Sequence, residues 1–174
     1  MDVLHSVCMC KVPLASLLLV AVLLQLDVVT QVNGATNVRS CPRERKVQEG
    51  SVNISSCEKM PCKLKHGSQV NIEWKFTPEE DATSVSNNIF AYVANIPLPW
   101  IGQDGLKVCN KIYNEDGVTL ANCPLTAGKE YLYKNSFDIL RIYPTIPVKV
   151  HWALLDQKRK ALTCFEIDAR ITVG

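Results

Sequence analysis

Apolar and polar residues alternate with a period of two along most of this chain. Val70, Ile72, Trp74 and Phe76 are separated by Asn71, Glu73 and Lys75. Val148, Val150, Trp152 and Leu154 alternate in the same way with Lys149 and His151. A side chain every second residue on one face is the mark of a half-buried strand. Further strands are predicted over Ile89–Ile96, stopped by Pro97 and Pro99, over Tyr131–Ile142, stopped by Pro144, and over Ala161–Val173 as one long or two short pieces. A weaker one is predicted over Val47–Ile54. Turn residues lie between them at His66-Gly67, Glu79-Glu80-Asp81, Asp104-Gly105, Asp116-Gly117 and Asp156 to Lys160. No helical stripe, internal repeat or linker interrupts the series. Six to eight strands at this spacing predict an all-β fold, a sandwich of two antiparallel sheets. Lys158-Arg159-Lys160 reads as a solvated hairpin tip.

The first 34 residues break the pattern. Val12 to Leu24 is an almost unbroken apolar run behind Lys11, closed by Gln25 and Asp27. It is short for a membrane span and has the form of a signal-peptide core, with an uncleaved anchor as the other reading. Val32-Asn33-Gly34 supplies tolerable cleavage residues, so residues 1–34 are expected to be removed, leaving residues 35–174 as one domain. The expected destination is secretion, or a lysosomal lumen. Asn53-Ile54-Ser55 is a sequon suited to either, which makes Asn53 the candidate glycosylation site.

Cleavage would discard Cys8 and Cys10 and leave six cysteines, an even number in an oxidising compartment. Six cysteines permit fifteen pairings. Loop geometry favours Cys57–Cys62 across a tight turn, Cys109–Cys123 around Asp116-Gly117, and hence Cys41–Cys164 between the two ends. Zinc is the competing use of the cysteines, but no CxxC occurs and only His66 and His151 remain outside the leader. No metal and no cofactor are expected. With 18 Lys and Arg against 15 Asp and Glu after residue 34, the charge of +3 leaves no nucleic-acid footprint.

Nothing in the motifs points to bond chemistry. GxSxG, HExxH, phosphate-loop, dinucleotide and calcium-loop patterns are all missing. Asp104, Asp116, Asp138, Asp156, Glu166 and Asp168 are ordinary turn or strand-end acids, so no enzyme is expected. The aromatic residues are numerous, and they either fill a sandwich core or line a cavity for an apolar ligand. Composition favours the filled core.

Several segments, taken in order, change that balance. Cys57-Glu58-Lys59-Met60-Pro61-Cys62-Lys63-Leu64-Lys65-His66-Gly67 follows the pattern C-x-x-x-P-C-x-L-x-x-G. Pro97-Leu98-Pro99-Trp100, Asp104-Gly105, Asn122-Cys123-Pro124 and Tyr143-Pro144-Thr145-Ile146 come next, then Val150-His151-Trp152 to Leu155-Asp156 and Cys164-Phe165-Glu166-Ile167. Together they resemble the Niemann-Pick type C2 family of soluble sterol carriers, within the ML lipid-recognition superfamily, over essentially all of residues 35–174. The long Cys109–Cys123 loop is more similar to arthropod members.

That resemblance implies an immunoglobulin-like sandwich of about seven strands, the same three disulfides, and an apolar cavity between the sheets. Carried across residue by residue, it implies a pocket mouth at Trp100, a pocket Tyr143 and Pro144, walls at Trp152 and Phe165, and a further wall position at Ile139. The family's mouth phenylalanine is Trp100 here, and Phe165 stands for a tryptophan. The implied activity is carriage of a sterol or similar lipid between membranes or proteins, by a monomer that makes transient contact with a membrane or receptor. A carrier of semiochemicals or fatty acids, a binder of microbial lipids, and a lipid-free interaction module with a filled core are the alternatives. Lys107 and the Lys158–Lys160 tip are available to anionic membranes, although a solvated surface is the favoured explanation.

Overall fold

The computed structural model describes residues 34–174, and the expected leader lies outside the described residues. Ten strands form in chain order: β1 (Arg39–Ser40), β2 (Val52–Ile54), β3 (Cys62–Lys65), β4 (Gln69–Phe76), β5 (Ser86–Val93), β6 (Ile96–Pro99), β7 (Ile112–Asn114), β8 (Tyr131–Asp138), β9 (Pro147–Leu155) and β10 (Ala161–Thr172). The only helical turn among the described residues is a 3-10 turn at Cys109–Lys111. One sheet runs β1-β10-β9-β5-β6, with β3 also on β10, and the other runs β2-β4-β8-β7. This is the two-sheet all-β sandwich that the alternation predicts, with more and shorter strands than expected.

Alternation builds the core directly. Val70, Ile72, Trp74 and Phe76 of β4 are buried, while Gln69, Asn71, Glu73 and Lys75 face solvent. Val148, Val150, Trp152 and Leu154 of β9 pack against them with Phe165, Ile167, Ala169 and Ile171 of β10. A second, small cluster of Cys41, Ala153, Leu155 and Cys164 covers the outer face of β9 and β10. Both faces of these strands are therefore buried over His151–Asp156 and Leu162–Ile167, which polar-apolar alternation alone does not foretell.

Three strand boundaries and one strand pairing differ from the sequence reading. Ile96–Pro99 is a strand, not a stop: β5 and β6 form a hairpin through Ala94 and Asn95, both with positive φ (47° and 65°). Prolines 97 and 99 are admitted because β6 lies at the sheet edge, where a missing N–H breaks no ladder. The strand over Tyr131–Ile142 ends at Asp138, and Ile139 turns to donate its N–H to Ser68 O. Only Val52–Ile54 of the Val47–Ile54 stretch is strand. Finally, β3 runs parallel to β10, with Cys62 opposite Ala169 and Lys65 opposite Thr172, the one parallel pairing between named strands.

Among the described residues three disulfides join Cys41–Cys164, Cys57–Cys62 and Cys109–Cys123. The first clips β1 to β10, whose residues Ser40 and Phe165 are opposite each other. The second closes the turn that leads into β3.

Candidate functional site

Two apolar spaces lie at one end of the sandwich. An inner cavity of about 30 Å³ sits between the sheets, with room for about one water molecule. Its walls come from inward positions on both sheets, including Ile72, Ile89, Phe137, Trp152 and Phe165, and Trp100 and Gln103 lie along it. An outer groove of about 240 Å³ opens beside it, lined by Leu98, Ile101, Ile142, Tyr143, Pro144 and Ile146 among others. Trp100 lines both.

A chain of aromatic rings runs from the groove into the core. Tyr143 meets Trp100 edge to face at 5.3 Å between centroids, and Trp100 meets Phe137 at 5.6 Å. Phe137 meets Trp152 at 5.5 Å, Trp152 stacks on Phe165 at 6.1 Å, and Phe165 meets Trp74 at 4.8 Å. These separations are within the range where aromatic pairs attract beyond simple burial. The inner cavity is small because these rings occupy the space between the sheets.

A polar network bounds the cavity on one side. The Tyr133 hydroxyl donates to Asn87 Oδ1 at 3.0 Å, and Trp152 Nε1 donates to the same oxygen at 3.4 Å. Asn135 Nδ2 donates to Gln103 Oε1 at 3.0 Å, and Lys111 Nζ donates to Asn135 Oδ1. Burial pushes the Tyr133 hydroxyl well above the ordinary tyrosine range, against the opposing effect of its hydrogen bonds. Three buried donors near the site have no protein partner: Trp100 Nε1, Asn87 Nδ2 and the Tyr143 hydroxyl. Burial also raises the Tyr143 hydroxyl. His66, from the turn between β3 and β4, donates through Nε2 to the Tyr143 carbonyl at 2.8 Å and so tethers the groove's loop to the sheet.

Of the six expected site residues, Trp100, Trp152 and Phe165 line the inner cavity, and Trp100, Tyr143 and Pro144 line the groove. Ile139 lines neither; it is fully buried in the core beside Ser68. Asn53 is partly exposed on β2, an edge strand of the second sheet. Phe137, one of the aromatic residues weighed as core or cavity lining, was not singled out as a site residue, and Gln103 escaped the sequence reading. The inward parity of Phe137 with Tyr131 and Tyr133 on β8 was the available signal for the first, and Gln103 is brought in only by tertiary folding.

One group of potential metal ligands gathers among the described residues, Cys41, Glu44, His151 and Cys164. Its two sulfurs are joined to each other, and a disulfide offers no thiolate to a metal. Among the described residues no helix is long and apolar enough to cross a membrane.

Residues 35–171 match the family model described as ML domain. The chain is 30% identical over 141 residues to NPC intracellular cholesterol transporter 2 of Canis lupus familiaris, covering 79% of this chain and 86% of that protein. It is 31% identical over 124 residues to NPC intracellular cholesterol transporter 2 homolog a of Drosophila melanogaster, covering 69% and 77%. The fold is similar to a crystal structure of a Niemann-Pick type C2 protein from Japanese carpenter ant, with TM-score 0.65 and 24% identity over 78% of this chain and 99% of that one. Chicken MD-1, crystallised with lipid IVa, aligns with TM-score 0.50 and 12% identity over 76% and 87%. With a two-sheet sandwich, three disulfides and a matching model across nearly all described residues, the chain belongs to the ML domain family.

Proposed function

We propose that this protein is a secreted lipid carrier that holds a sterol or similar apolar molecule between its two sheets and releases it without making or breaking a bond. The observation that carries the reading is the row of aromatic rings that runs from the outer groove, through Trp100, to the cavity walled by Trp152 and Phe165. The similarity to cholesterol transporters of the same family supports the choice of a sterol-sized ligand.

The driving force is burial of the ligand's apolar surface, at ~25 cal/mol per Å². Sites for molecules of this size occupy ~300–1,000 Å³, so entry requires the rings of Trp100, Phe137 and Trp152 to part. The ladders within each sheet and the three disulfides hold the backbone while the side chains move. The ligand's polar end would stay near the mouth, beside Trp100 and Tyr143. Monomeric carriage through the extracellular space or a lysosomal lumen, with a glycan on Asn53, completes the proposal. A mass decrease on enzymatic removal of N-glycans, missing in Asn53→Gln, tests the last point.

Native mass spectrometry of the protein purified from a eukaryotic secretion host, with solvent extraction of what it carries, tests the function. A bound lipid and saturable binding of cholesterol are expected. A lipid-free mass with no saturable binding of cholesterol or oleic acid would overturn the reading in favour of an interaction module with a filled core.

A further inference from the structure

The opposite end of the sandwich carries a second cleft, and its chemistry is the reverse of the first. It encloses about 690 Å³ between the loop that follows β1 and the hairpin that joins β9 to β10. Arg43, Arg45 and Lys46 line one side and Arg159 and Lys160 the other, over an apolar floor that includes Leu155. The apolar groove is lined by Val148 at the start of β9, and this cleft by Leu155 at its end. Seven residues of strand at about 3.3 Å each separate them by roughly 23 Å. Occupancy of one therefore leaves the other free.

Positive charge is in excess here. Five Lys and Arg line the cleft with two acids, Glu44 and Glu79, and with Lys158, Glu80 and Asp156 beside them six cations meet four acids. Arg45 pairs with Glu79, and Lys160 and Lys158 both pair with Glu80, at 2.6 and 3.7 Å. Glu44 lies 4.0 Å from His151. Arg43, Lys46 and Arg159 have no carboxylate partner among the described residues.

Backbone conformation adds an independent observation. Arg43 and Arg159 are two of the five non-glycine residues with positive φ among the described residues, at 64° and 61°. An L residue with a side chain is strained there, and glycine or asparagine is the ordinary occupant. At both places the chain carries a guanidinium instead, and both guanidinium-bearing residues line this cleft.

We infer that this cleft binds a phosphate-bearing ligand through Arg43, Lys46 and Arg159. A carboxylate is satisfied by one guanidinium, whereas a phosphomonoester carries about −1.5 to −2 charge at neutral pH and offers three acceptor oxygens. Two guanidinium forks and an ammonium supply that charge and that number of donors. The same monoester chemistry is presented by a free phosphate compound and by the headgroup of phosphatidic acid.

Two measurements separate those sources. Inorganic phosphate is titrated at low ionic strength while backbone amide NMR signals are followed, and the protein is co-sedimented with phosphatidylcholine vesicles containing phosphatidic acid. Saturable shifts at Arg43, Lys46 and Arg159 without vesicle binding assign a free phosphate ligand. Vesicle binding that also depends on these residues assigns a headgroup. The double variant Arg43→Gly, Arg159→Gly relieves both strained positions, so its melting temperature is expected to be unchanged or higher, while phosphate affinity falls by about tenfold or more. Arg43→Asn, Arg159→Asn keeps a side chain that tolerates this backbone and is expected to lose the same affinity. Lys65→Gln, on β3 beside the far end of β10, is expected to bind as the parent does. Absence of saturable shifts and of vesicle binding, shifts confined to other residues, or undiminished affinity in both double variants would overturn the inference.

Discussion

Trp100 and Tyr143 meet edge to face with ring centroids 5.3 Å apart, and each carries a buried polar atom without a protein partner. An unpaired buried donor costs about 1–3 kcal/mol. Tyr143→Phe removes one such atom and keeps the ring. It is expected to leave stability unchanged or raise it by up to ~1 kcal/mol in guanidinium denaturation, while weakening cholesterol binding more than binding of cholestane, which lacks the hydroxyl. A marked loss of stability would mean that the hydroxyl is paired inside the protein.

Trp152 is the hub of the aromatic row: it contacts Phe137, Tyr133 and Phe165 and donates to Asn87. Trp152→Ala is expected to cost about 3–5 kcal/mol, the range for deleting a buried large aromatic side chain. Trp152→Phe, which keeps an aromatic ring but loses the N–H, should cost distinctly less. Denaturant midpoints of the two variants check the ranking; equal losses would point to the hydrogen bond rather than the ring.

Tyr133 gives a pH signature. Its hydroxyl is raised in the folded state above the ordinary value near 10, because burial disfavours the phenolate. The folded protein thus holds this proton after the unfolded chain has lost it. The associated stability is complete below pH 10 and declines as pH rises from there toward the raised folded-state value, by up to ~1.4 kcal/mol per pH unit for one group. Thermal melts from pH 9 to 11 should show a steeper decline for the parent than for Tyr133→Phe, which lacks the proton. Parallel declines would argue that the hydroxyl titrates normally.

The disulfides are expected to rank by the loops they close. Sequence separations are 123 for Cys41–Cys164, 14 for Cys109–Cys123 and 5 for Cys57–Cys62. Chain entropy gives losses of about 5, 3 and 2 kcal/mol on replacing each pair by serine. Denaturation of the three double variants tests the order, and a largest loss at Cys57–Cys62 would show that local strand pairing outweighs loop closure.

Much of the fold was legible because burial imposes a period of two on β4 and on the start of β9, and the same parity assigns Trp74 and Trp152 inward. Pro97 and Pro99 misled because their meaning depends on whether a strand is central or at an edge, which a local reading cannot decide. Arg39–Ser40 and Cys62–Lys65 are too short to show a period, and β3 becomes a strand only because the end of β10 is there to receive it. The candidate site residues came by another route: Trp100, Tyr143, Pro144, Trp152 and Phe165 were named through resemblance, and they line the cavity or the groove. Phe137 shares its inward parity with Tyr131 and Tyr133 on β8, whereas Gln103 reaches the cavity only through tertiary folding. Ile139 was named through the same resemblance and is fully buried where the chain turns from β8 toward Ser68.

The strand β10 has β9 along one side, and along the other it has β1 at Phe165 and Glu166 followed by β3 from Ala169 to Thr172. Each short cover is fastened at a cysteine: Cys41 directly follows β1, and Cys62 begins β3. Without them the longest strand of the molecule would present a row of open backbone donors and acceptors, a template for pairing with another chain. Reduction of this protein is therefore expected to appear first as self-association, seen as light scattering at concentrations where the oxidised form stays clear, and only afterwards as loss of the sandwich. The cysteines nearest that strand act as guards against aggregation.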